Sequence, residues 1–180
     1  MLTGAAIRPG HRILDIGCGT GTLVTVIKGL YPAAEVIGLD PDPGALARAA
    51  RKASRANVAV QLDRGFSNEL PYPDAFFDRV LSSFMFHHVE PEQRPATLRE
   101  VRRTLKPGGE LHLMDFGGPG AEPKGFLVRL VHSHHLLQEN FGNRIPLLMA
   151  QAGLTDSHEV FHRRTFFGQI AYYRATAAAS

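Results

Sequence analysis

Residues 12–23, RILDIGCGTGTL, place one acid, Asp15, inside an aliphatic run and then set Gly17, Gly19 and Gly21 within five residues. Glycines there permit positive φ and remove Cβ atoms, so a ligand can lie against the backbone. A helix starting just beyond them aims free amides at the same spot, which favours a carboxylate or phosphate. Asp15 has apolar neighbours, among which an unpaired carboxylate is costly. A second aliphatic run, EVIGLD, also ends in an acid, Asp40, followed by Pro41. His87 and His88 are adjacent imidazoles that could take a proton from a hydroxyl or amine near neutral pH. His132, His134 and His135 crowd into HSHH, but without an acid or cysteine at metal-ligand spacing, so no metal is expected. Cys18 has no evident base beside it and reads as a loop residue rather than a nucleophile.

These residues need a frame that brings them together. Strand-like and helix-like patterns alternate along the chain, which predicts a parallel sheet flanked by helices. Strands are expected at 12–16, 35–40, 58–62, 76–83 and 110–116. Helices are expected at about 20–30, at 41–54 with Ala45, Leu46 and Ala49 inward, and at about 91–105 with Leu98, Val101 and Leu105 at helical spacing. KPGG at 106–109 supplies the breakers that end the last of these. A Gly/Pro-rich loop precedes an amphipathic helix at about 126–138. Another helix at 145–152 opens with Pro146 and closes at Gly153. Two further strands with a short turn between them should pair antiparallel. In such a doubly wound sheet the loop after the first strand sits at the ligand-binding mouth.

Composition sets the bounds. At 180 residues, the chain fits one domain with a substantial core. No apolar run reaches membrane-spanning length, and Met1 leads into no signal-like region. A single cysteine rules out an internal disulfide and fits a reducing cytoplasm. The net charge is only +3, and the basic residues are scattered, so no nucleic-acid partner is expected. Arg51, Lys52 and Arg55 read as a solvated helix face.

A dinucleotide calls for G-x-G-x-x-G, whereas here the third glycine, Gly21, arrives one residue early. LDIGCGTGTL instead resembles the cofactor loop of class I S-adenosylmethionine (SAM)-dependent methyltransferases. VIGLDPD resembles their second motif, and FFDRVLSSFMFHHV and LREVRRTLKPGGELHLMDF resemble the fourth and fifth, in order. IRPGHRILDIGCG matches as well, so the resemblance covers most of residues 7–116. It is nearest to the small-molecule group that includes the quinone-biosynthesis enzymes. The fold it implies is α/β and Rossmann-like: a doubly wound, mostly parallel seven-stranded sheet with a C-terminal antiparallel hairpin and helices on both faces. It implies one domain over 1–180 with a shortened N-terminal cap, a SAM cofactor and a small-molecule acceptor, and it leaves a homodimer open.

The resemblance also implies roles. Asp40 accepts the two ribose hydroxyls, Pro41 packs on adenine or shapes the turn, and Asp15 orients the loop and holds the methionine ammonium. Gly17, Cys18 and Gly19 contact the cofactor through their backbones. The family's acid after the third strand, which reads the adenine amino group, is replaced here by Phe66, with Ser67 next. Adenine recognition then passes to backbone groups, to Ser67, to stacking on Phe66, or to Asp63 through a shifted loop. Ser83, Phe84 and Met85 border the transfer centre. Phe84, Phe86 or Tyr72 could face the cationic sulfonium, or belong to the core. His87 or His88 is the candidate base; Arg129, Gln138 and Asn140 are candidate acceptor contacts. Sulfonium displacement has an excellent leaving group, so the protein mainly aligns the reactants and excludes water. Three other readings remain. One is a non-catalytic module of the same fold, and one a nicotinamide oxidoreductase. A nucleic-acid base methyltransferase would carry an Asn/Asp-Pro-Pro-aromatic turn where this chain has SSFMF.

Overall fold

The fold is taken from a computed structural model that describes residues 1–117, 144–165 and 168–178. The strand β1 (Arg12–Ile16) carries Ile13, Leu14 and Ile16 on two covered faces, with Asp15 the one acid among them. Leu14 and Ile16 turn to one core with Leu98, Val101, Ile145 and Met149. Ile13 turns to the other, with Val24, Ile27 and Val36. The helix α1 (Thr22–Leu30) covers that second face. After β2 (Glu35–Asp40), Asp42 caps α2 (Pro43–Arg55) by accepting from the Gly44 N–H at 2.7 Å, and Pro43 fills the first turn. Ala45, Ala49 and Ala53 form its buried stripe.

The remaining elements are β3 (Gln61–Arg64), β4 (Phe77–Ser83), a 3-10 turn (Phe86–His88), α3 (Arg94–Thr104), β5 (Leu105–Phe116), α4 (Arg144–Gln151), β6 (Leu154–Thr165) and β7 (Gly168–Ala177). They complete a seven-stranded sheet of order β3-β2-β1-β4-β5-β7-β6. The first five strands are parallel, and β7 runs antiparallel between β5 and β6. The strand order reverses between β1 and β4, so a crevice lies beyond their carboxyl ends. The expected architecture and the terminal antiparallel pair are both present.

Several element ends shift by a few residues from expectation, and two of the differences have a visible cause. The third strand is 61–64 rather than 58–62. The Val58 N–H returns to Ala53 O at 3.1 Å and Asn57 N–H to Ser54 O at 3.0 Å, with Asn57 at φ +54°, so Val58 is spent closing α2. Second, KPGG does not stand as a separate turn after α3. Leu105 already pairs with Phe77, and the ladder resumes at Arg79–Glu110, so residues 106–109 lie inside β5 as an irregularity. Lys106 fastens it through both carboxylate oxygens of Asp78, at 2.8 and 2.9 Å. The helix expected at 126–138, with His132, His134, His135, Arg129, Gln138 and Asn140, lies outside the described residues.

Candidate active site

The three glycines hold different jobs. Gly17, Gly19 and Gly21 all have positive φ, at +69°, +53° and +75°. A Cβ at Gly17 would collide with the Met85 side chain, and one at Gly21 would come within 2.6 Å of the Ala49 Cβ, whereas one at Gly19 would meet nothing within 4 Å. Only Gly19 therefore leaves its backbone open to a ligand. The bend is tied down by the N–H groups of Gly17 and Cys18, which both donate to Leu39 O, at 2.8 and 3.0 Å. Cys18 packs its sulfur against Gly38. Burial pushes its thiol pKa up to about 12, with Asp15 and Asp40 adding to the shift. Iodoacetamide at pH 8 is expected to label the native protein on the order of 100-fold more slowly than the denatured chain, because the thiolate is the reactive form; comparable rates would mean that Cys18 is exposed.

The two acids converge on this bend from neighbouring strands, since Asp15 pairs with Gly38 two residues before Asp40. One Asp40 oxygen accepts from the Gly19 N–H at 2.8 Å and the other from the Asp42 N–H at 2.9 Å. Lone pairs remain on both oxygens for hydroxyl donors. Asp15 is 2% exposed, and among the described residues neither a cation nor a hydrogen-bond donor lies beside its carboxylate. Burial, and then the charge of Asp40, raise its pKa to about 8. A ligand cation here would relieve a carboxylate that the protein leaves uncompensated.

Just after β2, Pro41 is exposed and its carbonyl accepts from Arg64 Nε, at the end of β3, at 3.3 Å. The Ser67 hydroxyl pairs with that of Thr97 on α3 at 3.1 Å, and Asp63 accepts from the Tyr72 hydroxyl at 2.9 Å and Gln61 Nε2 at 2.8 Å. Phe66, by contrast, is 64% exposed, with its ring free to stack. Its neighbour Gly65 reaches back to Asp40 O at 3.4 Å.

The segment after β4 forms a second wall. Ser83 ends the strand opposite Met114. Phe84 follows at φ +54°, its N–H held by Met114 O at 2.8 Å and its ring 5.3 Å from that of Phe116. Such a conformation in a bulky residue costs roughly 1–3 kcal/mol and persists where the surroundings impose it. Of the three aromatics considered for a sulfonium, Phe84 lines a cleft, whereas Phe86 and Tyr72 are buried in the core. That cleft, of about 480 Å³, is bounded by Phe84, His87, His88, Phe116, Thr165 and Ile170. His88 is exposed at the surface, yet partial desolvation followed by the neighbouring His87 lowers its pKa. His87 Nδ1 lies 2.6 Å from Oδ1 of Asp115, a fully buried acid at the end of β5. Asp115, like Asp15 and Asp40, sits near the carboxyl end of a strand, but its pairing with His87 spans 28 residues and leaves no mark in the sequence. Among the described residues no group of three or more His, Cys, Asp or Glu could hold a metal ion, and no helix is long and apolar enough to cross a membrane.

The methyltransferase domain family matches residues 13–109. The chain is 35% identical over 126 residues to a demethylmenaquinone methyltransferase of Deinococcus radiodurans, covering 70% of this chain and 52% of that protein. It is 40% identical over 137 residues to a demethylmenaquinone methyltransferase of Thermus thermophilus, covering 73% and 61%. The chain thus spans only part of the length of these relatives. The solved YcgJ protein of Bacillus subtilis superposes with a TM-score of 0.79 at 19% identity, over 100% of this chain and 97% of the other, and so shares the fold. With more than half of its length matched and the glycine bend and both acids in place, the chain belongs to the methyltransferase domain family, the class I SAM-dependent methyltransferases.

Proposed function

We propose that this protein transfers a methyl group from SAM to a small hydroxyaromatic acceptor of the quinol type. The observation that carries the reading is the open backbone of Gly19, flanked by one buried acid that has no partner among the described residues and one acid with lone pairs to spare. SAM has matching groups: an ammonium for Asp15, ribose hydroxyls for Asp40 and a purine face for Phe66. Gly17, Cys18 and Gly19 line the bend, and Ser83 and Phe84 lead from it to the acceptor cleft. When bound, SAM supplies an electrophilic methyl on a sulfonium. The protein's part is to hold donor and acceptor in line and to exclude water. The quinol class follows from the relatives, which are named for demethylmenaquinone, and from the aromatic lining of the cleft. His87 is the base in this reading, and His88 stands beside it.

Calorimetry with SAM, then with its demethylated product, tests the reading. Binding of both is expected; binding of neither, or tight binding of NAD in their place, would overturn it. Asp40→Ala is expected to weaken SAM binding by about 1.5–3 kcal/mol per lost charged hydrogen bond. Unchanged affinity in a variant that melts normally would remove the ribose assignment.

A further inference from the structure

We propose that Asp115 is the positioning residue of a dyad in which His87 accepts the hydroxyl proton of the acceptor. This rests on the methyltransferase reading above and adds to it a residue, a tautomer and a proton path. Asp115 is 0% exposed, and its carboxylate receives three donors. The His87 N–H donates to Oδ2 at 3.0 Å, while the Phe116 N–H at 2.7 Å and the His87 ring Nδ1 at 2.6 Å share Oδ1. A carboxylate that accepts from two backbone amides faces the imidazole as an acceptor too. Nδ1 therefore carries the hydrogen, and the lone pair stands on Nε2. The two amides alone would satisfy a carboxylate that merely anchored the 3-10 turn. The third and shortest bond goes instead to a ring in the cleft wall.

The ring is also held from its other sides. Phe116 meets it edge-on, with centroids 5.3 Å apart, and the His88 ring lies 4.0 Å away. Among the described residues, Asp115 on β5 and His88 on its own turn are the titratable groups beside His87; β7 contributes Ile170 to the cleft. Phe84, Phe116 and Ile170 suit a flat apolar ring, and His87 offers that ring's hydroxyl a base. In the step itself the acceptor O–H bond breaks, its electron pair stays on oxygen, and the proton forms an Nε2–H bond. Asp115 balances the imidazolium charge until the proton passes to water. The aryloxide left behind carries its charge on oxygen and on ring carbon, the two atoms that can take a methyl group.

The test uses the full chain saturated with S-adenosylhomocysteine, and nitrogen-15 NMR of the His87 ring at pH 8.5. Wild type is expected to show Nδ1 protonated and Nε2 bare, and Asp115→Asn to lose that preference. Transfer from SAM to 1,4-dihydroxynaphthalene, kept reduced, is expected to fall about 100-fold at pH 7.5 in Asp115→Asn and in His87→Gln, the scale of a general base. SAM affinity should be unchanged in both. The deficit should narrow as pH climbs toward the probe's own ionisation near 10, the phenol value, because the solvent then does the work of the base. An Nε2–H signal in wild type, full activity in either variant, or a deficit that persists at high pH overturns the dyad while leaving SAM binding intact. Absence of transfer by a wild-type protein that binds SAM overturns it with the acceptor class, and a wild-type protein that does not bind SAM removes the methyltransferase reading as well. His87→Gln keeps the proposal testable should Asp115→Asn fail to fold.

Discussion

Asp15→Asn is expected to weaken SAM binding about 100-fold, roughly 2.7 kcal/mol, and yet to raise the melting temperature of the ligand-free protein at alkaline pH. Both effects come from one carboxyl, buried and without a partner among the described residues, whose pKa rises from 3.8 to about 8 on folding. The folded chain holds a proton that the unfolded chain releases, so stability declines as pH climbs from about 4 to about 8 and then levels off. Asparagine has no such proton to lose. Its advantage over the wild type should be small at pH 5 and full at pH 9, as calorimetric melting would read. The ligand's ammonium reverses the balance by favouring the charged form. Binding of SAM to the wild type near pH 7 should therefore release a proton, seen as a binding enthalpy that differs between phosphate and Tris. Equal enthalpies in the two buffers would mean that Asp15 is already ionised or lies away from the ligand.

The second large effect separates two glycines. Gly17→Ala is expected to lose about 2–4 kcal/mol of stability, from left-handed strain and from overpacking against Met85. Gly19→Ala has the strain without the collision, and about 1 kcal/mol is expected. Its new methyl, however, projects into the space a ligand needs, so SAM affinity should fall at least tenfold, about 1.4 kcal/mol. Urea unfolding and calorimetry on the same two proteins would read the contrast. Equal stability losses would show that Met85 moves aside without cost.

Much of this frame is legible in the sequence because local patterning and burial coincide. β1, β2 and β4 are each built around a short aliphatic stretch as a parallel sheet demands, and α2 carries its cap, its proline and its alanine stripe within fifteen residues. The misplaced features depend on partners distant in sequence. Nothing in VAVQL says that Val58 is taken by the end of α2, nor that pairing with Ile37–Asp40 selects residues 61–64. The glycines illustrate the same limit. Three bare residues read alike in the sequence, and only the packing of Met85 and Ala49 separates two structural glycines from one left open to a ligand. Asp15 and Asp40 were legible beside the motif they serve. Asp115 was not, since the pairing of β4 with β5 is what delivers it to His87.

Met85 also links functions that the sequence keeps apart. Its side chain occupies the volume above Gly17, while its backbone continues from Phe84 into the turn that bears His87. Met85 thus packs on the glycine bend by its side chain and leads into the turn beside the cleft by its backbone. On the function proposed above, a ligand at the bend that shifts Met85 would also shift the turn bearing His87, and by reciprocity a ligand in the cleft would act on the bend with an equal free energy. Methionine, unbranched and with three rotatable bonds, makes such a link compliant; a β-branched residue would make it stiffer.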